Sequence, residues 1–219
     1  MVAFFRRSFL TLFAIFSIFA LGAFTTAQAA EPWQEGEHYS VLKQPIRVGS
    51  SDQVVVSEFF WYGCGHCYTF EPMVETWAKQ LPEGVLFKPS PAMWNGAMKL
   101  HAKAYYIAET LGVVDTLHSA VFHAYHVERN RLGSEAALKE LFVKNGVDPE
   151  DFDKAFNSFG VNSQVNQADA RARSAKVSGT PSMMVNGKYT ISASQAGGQS
   201  EMLEVAKFLV EKELASLAN

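Results

Sequence analysis

The chain of 219 residues carries 19 Lys+Arg against 22 Asp+Glu, a formal charge of −3, with 48% hydrophobic residues and two cysteines. That is long enough for one domain with a real core, or one domain with an insertion; the absence of any basic block argues against nucleic acid as a partner. So few cysteines exclude a disulfide-dependent secreted scaffold, which spreads several of them along the chain.

Residues 1–29 read as a secretory signal peptide. Arg6 and Arg7 form a positive n-region, "SFLTLFAIFSIFALGAF" is an apolar run, and Ala27-Gln28-Ala29 offers small residues at −3 and −1 of a cleavage site. A retained anchor is the competing reading, since the run approaches spanning length. "FRRSFL" partly resembles a twin-arginine signal but lacks the preceding Ser or Thr, and the very apolar run favours the general secretory route. Losing Arg6 and Arg7 leaves 17 Lys+Arg against 22 Asp+Glu, a net −5.

Downstream, "HYSVL" (38–42) reads as a short strand ended by Pro45, and "QVVVSEFFW" (53–61) as a central strand covered on both faces. A helix is expected from Cys64 to about Gln80, with Phe70, Val74, Trp77 and Leu81 as its apolar stripe and a kink at Pro72. "GVLFK" (84–88) is the next strand, ended by Pro89 and Pro91. From Gly96 to about Lys176 the spacing is helical throughout, giving four or five helices, the last a longer polar one over about 161–176, with Ser134 and Asp148 as N-caps and Pro149 at a first helical position. "SMMVNGKYTI" (182–191) is a hairpin turning at Asn186-Gly187, and "SEMLEVAKFLVEKELASL" is a closing amphipathic helix. The order β, β, α, β, helical block, β, β, α is an α/β fold with an inserted helical domain. Residues 30–95 and 177–219 form the α/β part, and 96–176 form the insertion.

Both cysteines lie in "WYGCGHCYTF" (61–70). A disulfide between Cys64 and Cys67 closes a four-residue loop worth roughly 2 kcal/mol, against ~4.7 for a hundred-residue loop, so a structural staple is a poor explanation. Three steps along a helix place two Cα atoms ~5–6 Å apart, within disulfide reach, so the pair can open and close without rearranging the fold. Cys64 also stands where a strand gives way to a helix, and the unpaired N–H groups there favour a thiolate. A structural zinc site needs further ligands, and there is no second cysteine pair; haem attachment needs His directly after Cys67, where Tyr68 stands.

His66, between the cysteines, can stabilise a Cys64 thiolate as a donor or an imidazolium, or simply be an exposed helix-turn residue. His38, His101, His118, His123 and His126 are read as surface or interhelical packing. Glu58, six residues before Cys64 in a strand that otherwise looks buried, is a candidate proton relay for the second thiol; the alternatives are a solvent-facing Glu or a partner for Lys88. Thr180-Pro181 stands just before a strand. A cis proline there would leave backbone groups free to pair with an extended peptide, although an ordinary trans turn fits the residues as well.

"EFFWYGCGHCYTFEP", the helical insertion and "VSGTPSMMVNGKY" together resemble the thioredoxin superfamily and, within it, the DsbA family of periplasmic thiol:disulfide oxidoreductases. The resemblance covers nearly the whole chain after the signal peptide and implies a thioredoxin fold with an inserted α-helical domain. It also implies Cys64 as nucleophile, Cys67 as its buried partner, His66 as thiolate stabiliser, Glu58 as the acid beneath the site, and Pro181 as a cis proline facing the disulfide with Thr180 before it. The family commonly has Pro before the active-site His, whereas Gly65 gives the CGHC of protein disulfide isomerases. Thr180 is shared with thioredoxin and the isomerase DsbC, and Pro72 matches the helix kink of thioredoxin; no N-terminal dimerisation domain of the DsbC kind fits before the first strand.

The expected activity is a periplasmic disulfide oxidase that donates Cys64–Cys67 to reduced or unfolded exported proteins. It would act as a monomer with no cofactor or metal, and a DsbB-like, quinone-linked membrane protein would reoxidise it. The rivals are an isomerase or reductase using the same residues and, from another class, a periplasmic peptide-binding chaperone.

Overall fold

A computed structural model describes residues 31–49 and 52–217, so the expected signal peptide lies outside the described residues. The apolar run becomes strand β2 (Val54–Phe60), all seven residues of which are buried. Around it the sheet runs β1 (Ser40–Val41), β5 (Tyr189–Ser192), β4 (Ser182–Val185), β2, β3 (Val85–Pro91). β2 pairs in parallel with β3 and antiparallel with β4, and the β4–β5 and β5–β1 pairs are antiparallel. The β4–β5 turn follows the Asn186-Gly187 expectation, with φ positive at both residues. A side chain at Gly187 would also strike the Ile46 carbonyl oxygen, so the position has no room for one.

Side chains alternate across β2. Val54 and Val56 pack against Phe70 and Val74 of α1 (Gly65–Ala78) and against Val205 and Leu209 of α8 (Gln199–Leu217). Phe59 packs on the opposite face, with Ala92, Ala172 and Met184. By parity Glu58 shares the α1 face, which fixes its relation to the cysteines.

Between β3 and β4 run five helices: α2 (Gly96–Thr110), α3 (Val114–His126), α4 (Glu135–Lys144), α5 (Pro149–Asn157) and α6 (Phe159–Ser174). Their ends follow the caps legible in the chain. Ser134 accepts from the Ala137 amide at 3.2 Å, and Asp148 from the Glu150 and Asp151 amides, with Pro149 at the first turn. The core of this block includes Leu117, Phe122 and Ile107, and it also takes in Phe60, Tyr62 and Cys67. Burying an aromatic side chain of this size contributes roughly 1.5–3 kcal/mol, so Phe60 and Tyr62 tie the sheet to the insertion. A single turn, α7 (Ala193–Ala196), precedes α8. Among the described residues no helix is long and apolar enough to cross a membrane.

Three expectations need correction. β3 does not end at residue 88 but runs through Pro89 to Pro91; it is an edge strand, where proline's missing N–H need not face a partner. β1 is two residues, shorter than 38–42. The last helix of the block begins at Phe159, before residue 161, because Ser158 caps it by accepting from the Val161 amide at 3.1 Å.

Candidate active site

Cys64 is the N-cap of α1, with extended backbone (φ −89, ψ 116), and is half-buried; Cys67, one turn in, is fully buried. Both are thiols. The two sulfurs are held in opposite protonation states. The Cys67 S–H donates to Cys64, and the Thr180 hydroxyl and the backbone N–H groups of Cys67 and His66 add to this, so that against the cost of burial the Cys64 thiol is pulled down to about 5. Burial first, then the hydrogen bond to Cys64 and its charge, push Cys67 far above the usual thiol range. The arrangement is one thiolate and one thiol, with the thiolate on the accessible sulfur.

Thr180 meets Cys64 with two groups of opposite preference. Its carbonyl accepts from the neutral thiol at 3.3 Å, whereas its hydroxyl favours the thiolate. The Thr180-Pro181 bond is cis. Beside it lies a groove of about 350 Å³, lined by His66, Gly179, Thr180, Pro181, Ser192 and Gln199 among others. His66 is exposed; its carbonyl accepts from the Thr69 hydroxyl at 3.1 Å and from the Gln199 amide at 2.7 Å. Its imidazole makes no hydrogen bond to either sulfur among the described residues, and its backbone N–H is the group that acts on Cys64.

Glu58 is 1% exposed, so it does not face solvent. Nor does it pair with Lys88, which stands in register with Ser57 and therefore points to the other face of the sheet. Burial, and then the charges of Glu71 and Cys64, push its carboxyl well above the usual range. The solvent-facing and Lys88-paired readings are thereby excluded.

Several residues read as packing gather at this site. From the insertion, His101 Nδ1 accepts from the Trp61 indole N–H at 3.1 Å while its Nε2 contacts the Arg131 carbonyl at 3.1 Å; burial holds the ring below the usual imidazole range. His118 Nδ1 lies 2.7 Å from the Tyr62 hydroxyl, and His126 Nε2 reaches the Tyr62 carbonyl at 2.8 Å while its ring stacks on Tyr68. His38 and His123 are ordinary: one accepts from the Gln34 amide and the other pairs with Glu128 at the surface. The spacing of His118, Phe122 and His126, four apart on one helical face, was the available signal. Glu71 has the same relation to Cys67. Gly63 is required by Trp61, whose ring folds back so that a Cβ at Gly63 would lie 2.3 Å from it. Among the described residues no group of three or more His, Cys, Asp or Glu is arranged to hold a metal ion.

Residues 55–209 match the model of the DSBA-like thioredoxin domain family. Among curated relatives, the thiol:disulfide interchange protein DsbA of Pseudomonas aeruginosa is 37% identical over 193 residues, covering 88% of this chain and 92% of the relative. The protein of the same name from Bordetella pertussis is 40% identical over 178 residues, covering 81% and 85%. The crystal structure of P. aeruginosa DsbA superposes with a TM-score of 0.82 at 37% identity, over 85% of this chain and 97% of that one. The oxidoreductase DsbA from Xylella fastidiosa gives 0.78 at 28% identity, over 84% and 98%.

Proposed function

The chain belongs to the DSBA-like thioredoxin domain family and is a thiol:disulfide oxidoreductase, and from that premise we propose how its own residues carry out disulfide donation to exported proteins. A substrate thiolate attacks Cys64 Sγ; the Cys64–Cys67 bond breaks, and Cys67 leaves and takes up a proton. A second substrate thiolate then attacks the substrate sulfur of the mixed disulfide, and Cys64 leaves as a thiolate. The balance is one enzyme disulfide and two substrate thiols in, and one substrate disulfide, one thiolate, one thiol and one released proton out.

The observation that carries this is the inequality of the two thiols, Cys64 accessible and held near 5, Cys67 buried and held high. A stabilised thiolate is a good leaving group, and stabilising the reduced form makes the disulfide more oxidising. Thr180 and Pro181, beside the groove, take the role of substrate-binding residues, Glu58 that of proton donor to Cys67, and His66 that of a thiolate-supporting residue through its backbone. Residues 30–95 and 177–219 serve as the thioredoxin-like domain and 96–176 as the helical insertion. The signal peptide at 1–29 directs the chain to the periplasm, where a DsbB-like membrane protein passes its electrons to quinone.

Equilibration of the cysteine pair against glutathione tests the direction. A potential near the thioredoxin value of about −270 mV would replace the oxidase reading with a reductase. Suppression of substrate aggregation left intact in Cys64→Ser, with no oxidation needed for it, would favour a chaperone.

A further inference from the structure

Two buried carboxylate oxygens, Oε1 of Glu58 and Oε2 of Glu71, have no hydrogen-bond partner among the described residues. Buried polar atoms are rarely left so, and each such case needs a reason. Glu58 lies on the α1 face of the sheet, and Glu71 follows Cys67 by one turn of α1, on the same side of the helix. The other oxygen of Glu71, Oε1, is 3.1 Å from His118 Nε2, and His118 Nδ1 is 2.7 Å from the Tyr62 hydroxyl.

A carboxylate only accepts, so His118 Nε2 carries a hydrogen and donates it to Glu71, while the Tyr62 hydroxyl holds the other ring nitrogen, Nδ1, in place. Phe60, Tyr62, Tyr105 and Phe122 surround this imidazole, with ring centroids 5.0–5.7 Å away. The titratable groups facing the chain of contacts are Glu58 and Tyr62 from β2 and its continuation, Glu71 from α1, Tyr105 from α2 and His126 further along α3, with both cysteines beyond.

We propose that His118, reaching in from the helical insertion, is a positioning residue for proton transfer at Cys67: it fixes the Glu71 carboxylate, whose charge adds to burial in keeping the proton on Glu58. Glu58 is buried and Glu71 partly buried, and a buried carboxyl that feels a neighbouring carboxylate ionises only at extra cost, so anchoring the charge on Glu71 favours the proton on Glu58. When substrate opens the disulfide, Cys67 leaves as a thiolate; Glu58 O–H gives up its proton, an S–H bond forms, and Glu58 is left as a carboxylate that solvent protons restore. The proposal rests on Cys64 as the sulfur that substrate attacks and on Glu58 as proton donor.

Infrared spectra of the reduced protein, together with the pH profile of disulfide reduction by a dithiol peptide, test it. The wild type should show one protonated carboxyl band, absent in Glu58→Gln. In His118→Leu, Glu71 loses its donor, so its carboxylate stretching band should shift. In Glu71→Gln, which keeps the shape and removes the charge, the pH midpoint assigned to Glu58 should fall. His118→Gln, with an N–H near the Nε2 position, should restore the wild-type band position. An unchanged spectrum in His118→Leu, alongside an effective Glu58→Gln, overturns the role of His118 alone. Should His118→Leu not fold, an unchanged midpoint in Glu71→Gln overturns the proposal equally. A silent Glu58→Gln removes the acid itself, and with it both the reading and the proposal.

Discussion

The two sulfurs of one short motif face two different regions. On the side of Cys64 lies an open, serine-rich groove beside Thr180 and Pro181, where the thiolate is held by N–H groups and a hydroxyl. On the side of Cys67 lies a closed aromatic cluster, with Phe60, Tyr62 and Phe122 from both parts of the fold, together with the buried Glu58 and the partly buried Glu71. Solvent-facing donors favour an anion, whereas apolar burial forbids one unless it is paired. The polarity of the proposed disulfide exchange, which sulfur meets substrate and which leaves first, therefore follows from assembling the sheet against the insertion. Spacing alone would make the cysteines equivalent apart from the helix terminus.

The hardest way to break this asymmetry is to remove a sulfur. Cys64→Ser should abolish substrate oxidation completely, measured as disulfide formation in a reduced dithiol peptide. Cys67→Ala also ends turnover but sharpens the comparison, because the S–H of Cys67 is the largest single influence lowering Cys64. Its loss should raise the pH midpoint of Cys64 alkylation by about one unit or more. Cys67→Ser, which keeps a donor, should stay closer to wild type. A midpoint unmoved in Cys67→Ala would mean that the backbone donors alone hold the thiolate.

The same asymmetry predicts a pH dependence of the reduced form. Cys64 is depressed from 9.0 to about 5 on folding. A depressed group stabilises the fold fully above its unfolded value and loses that contribution as pH falls towards the folded one. Denaturation midpoints of the reduced protein, compared with Cys64→Ser, should thus converge as pH is lowered from about 9 to about 5. Thr180→Val, lacking the hydroxyl, should narrow that window from its acid end. A constant difference across the range would show that Cys64 is not ionised in the fold.

On the insertion side, the test is steric. Gly63→Ala places a methyl group where the Trp61 ring lies, and overpacking of this kind typically costs about 1–3 kcal/mol. The relieving movement swings the indole away from His101, so tryptophan fluorescence should change along with stability. Stability and emission both unchanged would mean that Trp61 is free to lie elsewhere.

What could be read from the chain follows the range of the forces involved. β2 and α1 were legible because a seven-residue strand with five apolar residues and a helical stripe are local patterns, and Ser134 and Asp148 were legible as caps because their partners lie two or three residues away. Glu58 stood out as a charge in an apolar strand, but its side of the sheet depended on register, and register alone turned Lys88 away from it. The extension of β3 through two prolines required knowing that it is an edge. The histidines of the insertion were opaque because their partners lie 40, 56 and 64 residues away; nothing in helical spacing says which segment a face will meet. For His66 the motif put the residue beside Cys64, but only the fold shows its backbone N–H among the groups that lower the Cys64 thiol.

Gly65 gives the smallest effect. It occupies the first helical position after the N-cap, nothing lies within 4 Å of where a Cβ would stand, and Cys64 before it has the extended backbone that a following proline demands. Gly65→Pro should therefore be accommodated, and by restricting the unfolded chain it should stabilise the protein by about 0.4–1 kcal/mol, a rise in Tm of at most about 4 °C. The N–H it removes is not among the groups acting on Cys64, which are those of His66 and Cys67. The alkylation midpoint should consequently stay near 5, even though the substitution restores the proline common in the family. If the midpoint holds and the glutathione potential still moves, the dipeptide tunes the enzyme through its disulfide form; if both move together, Gly65 reshapes the donors around Cys64, and the open side of the site is less fixed than its contacts imply.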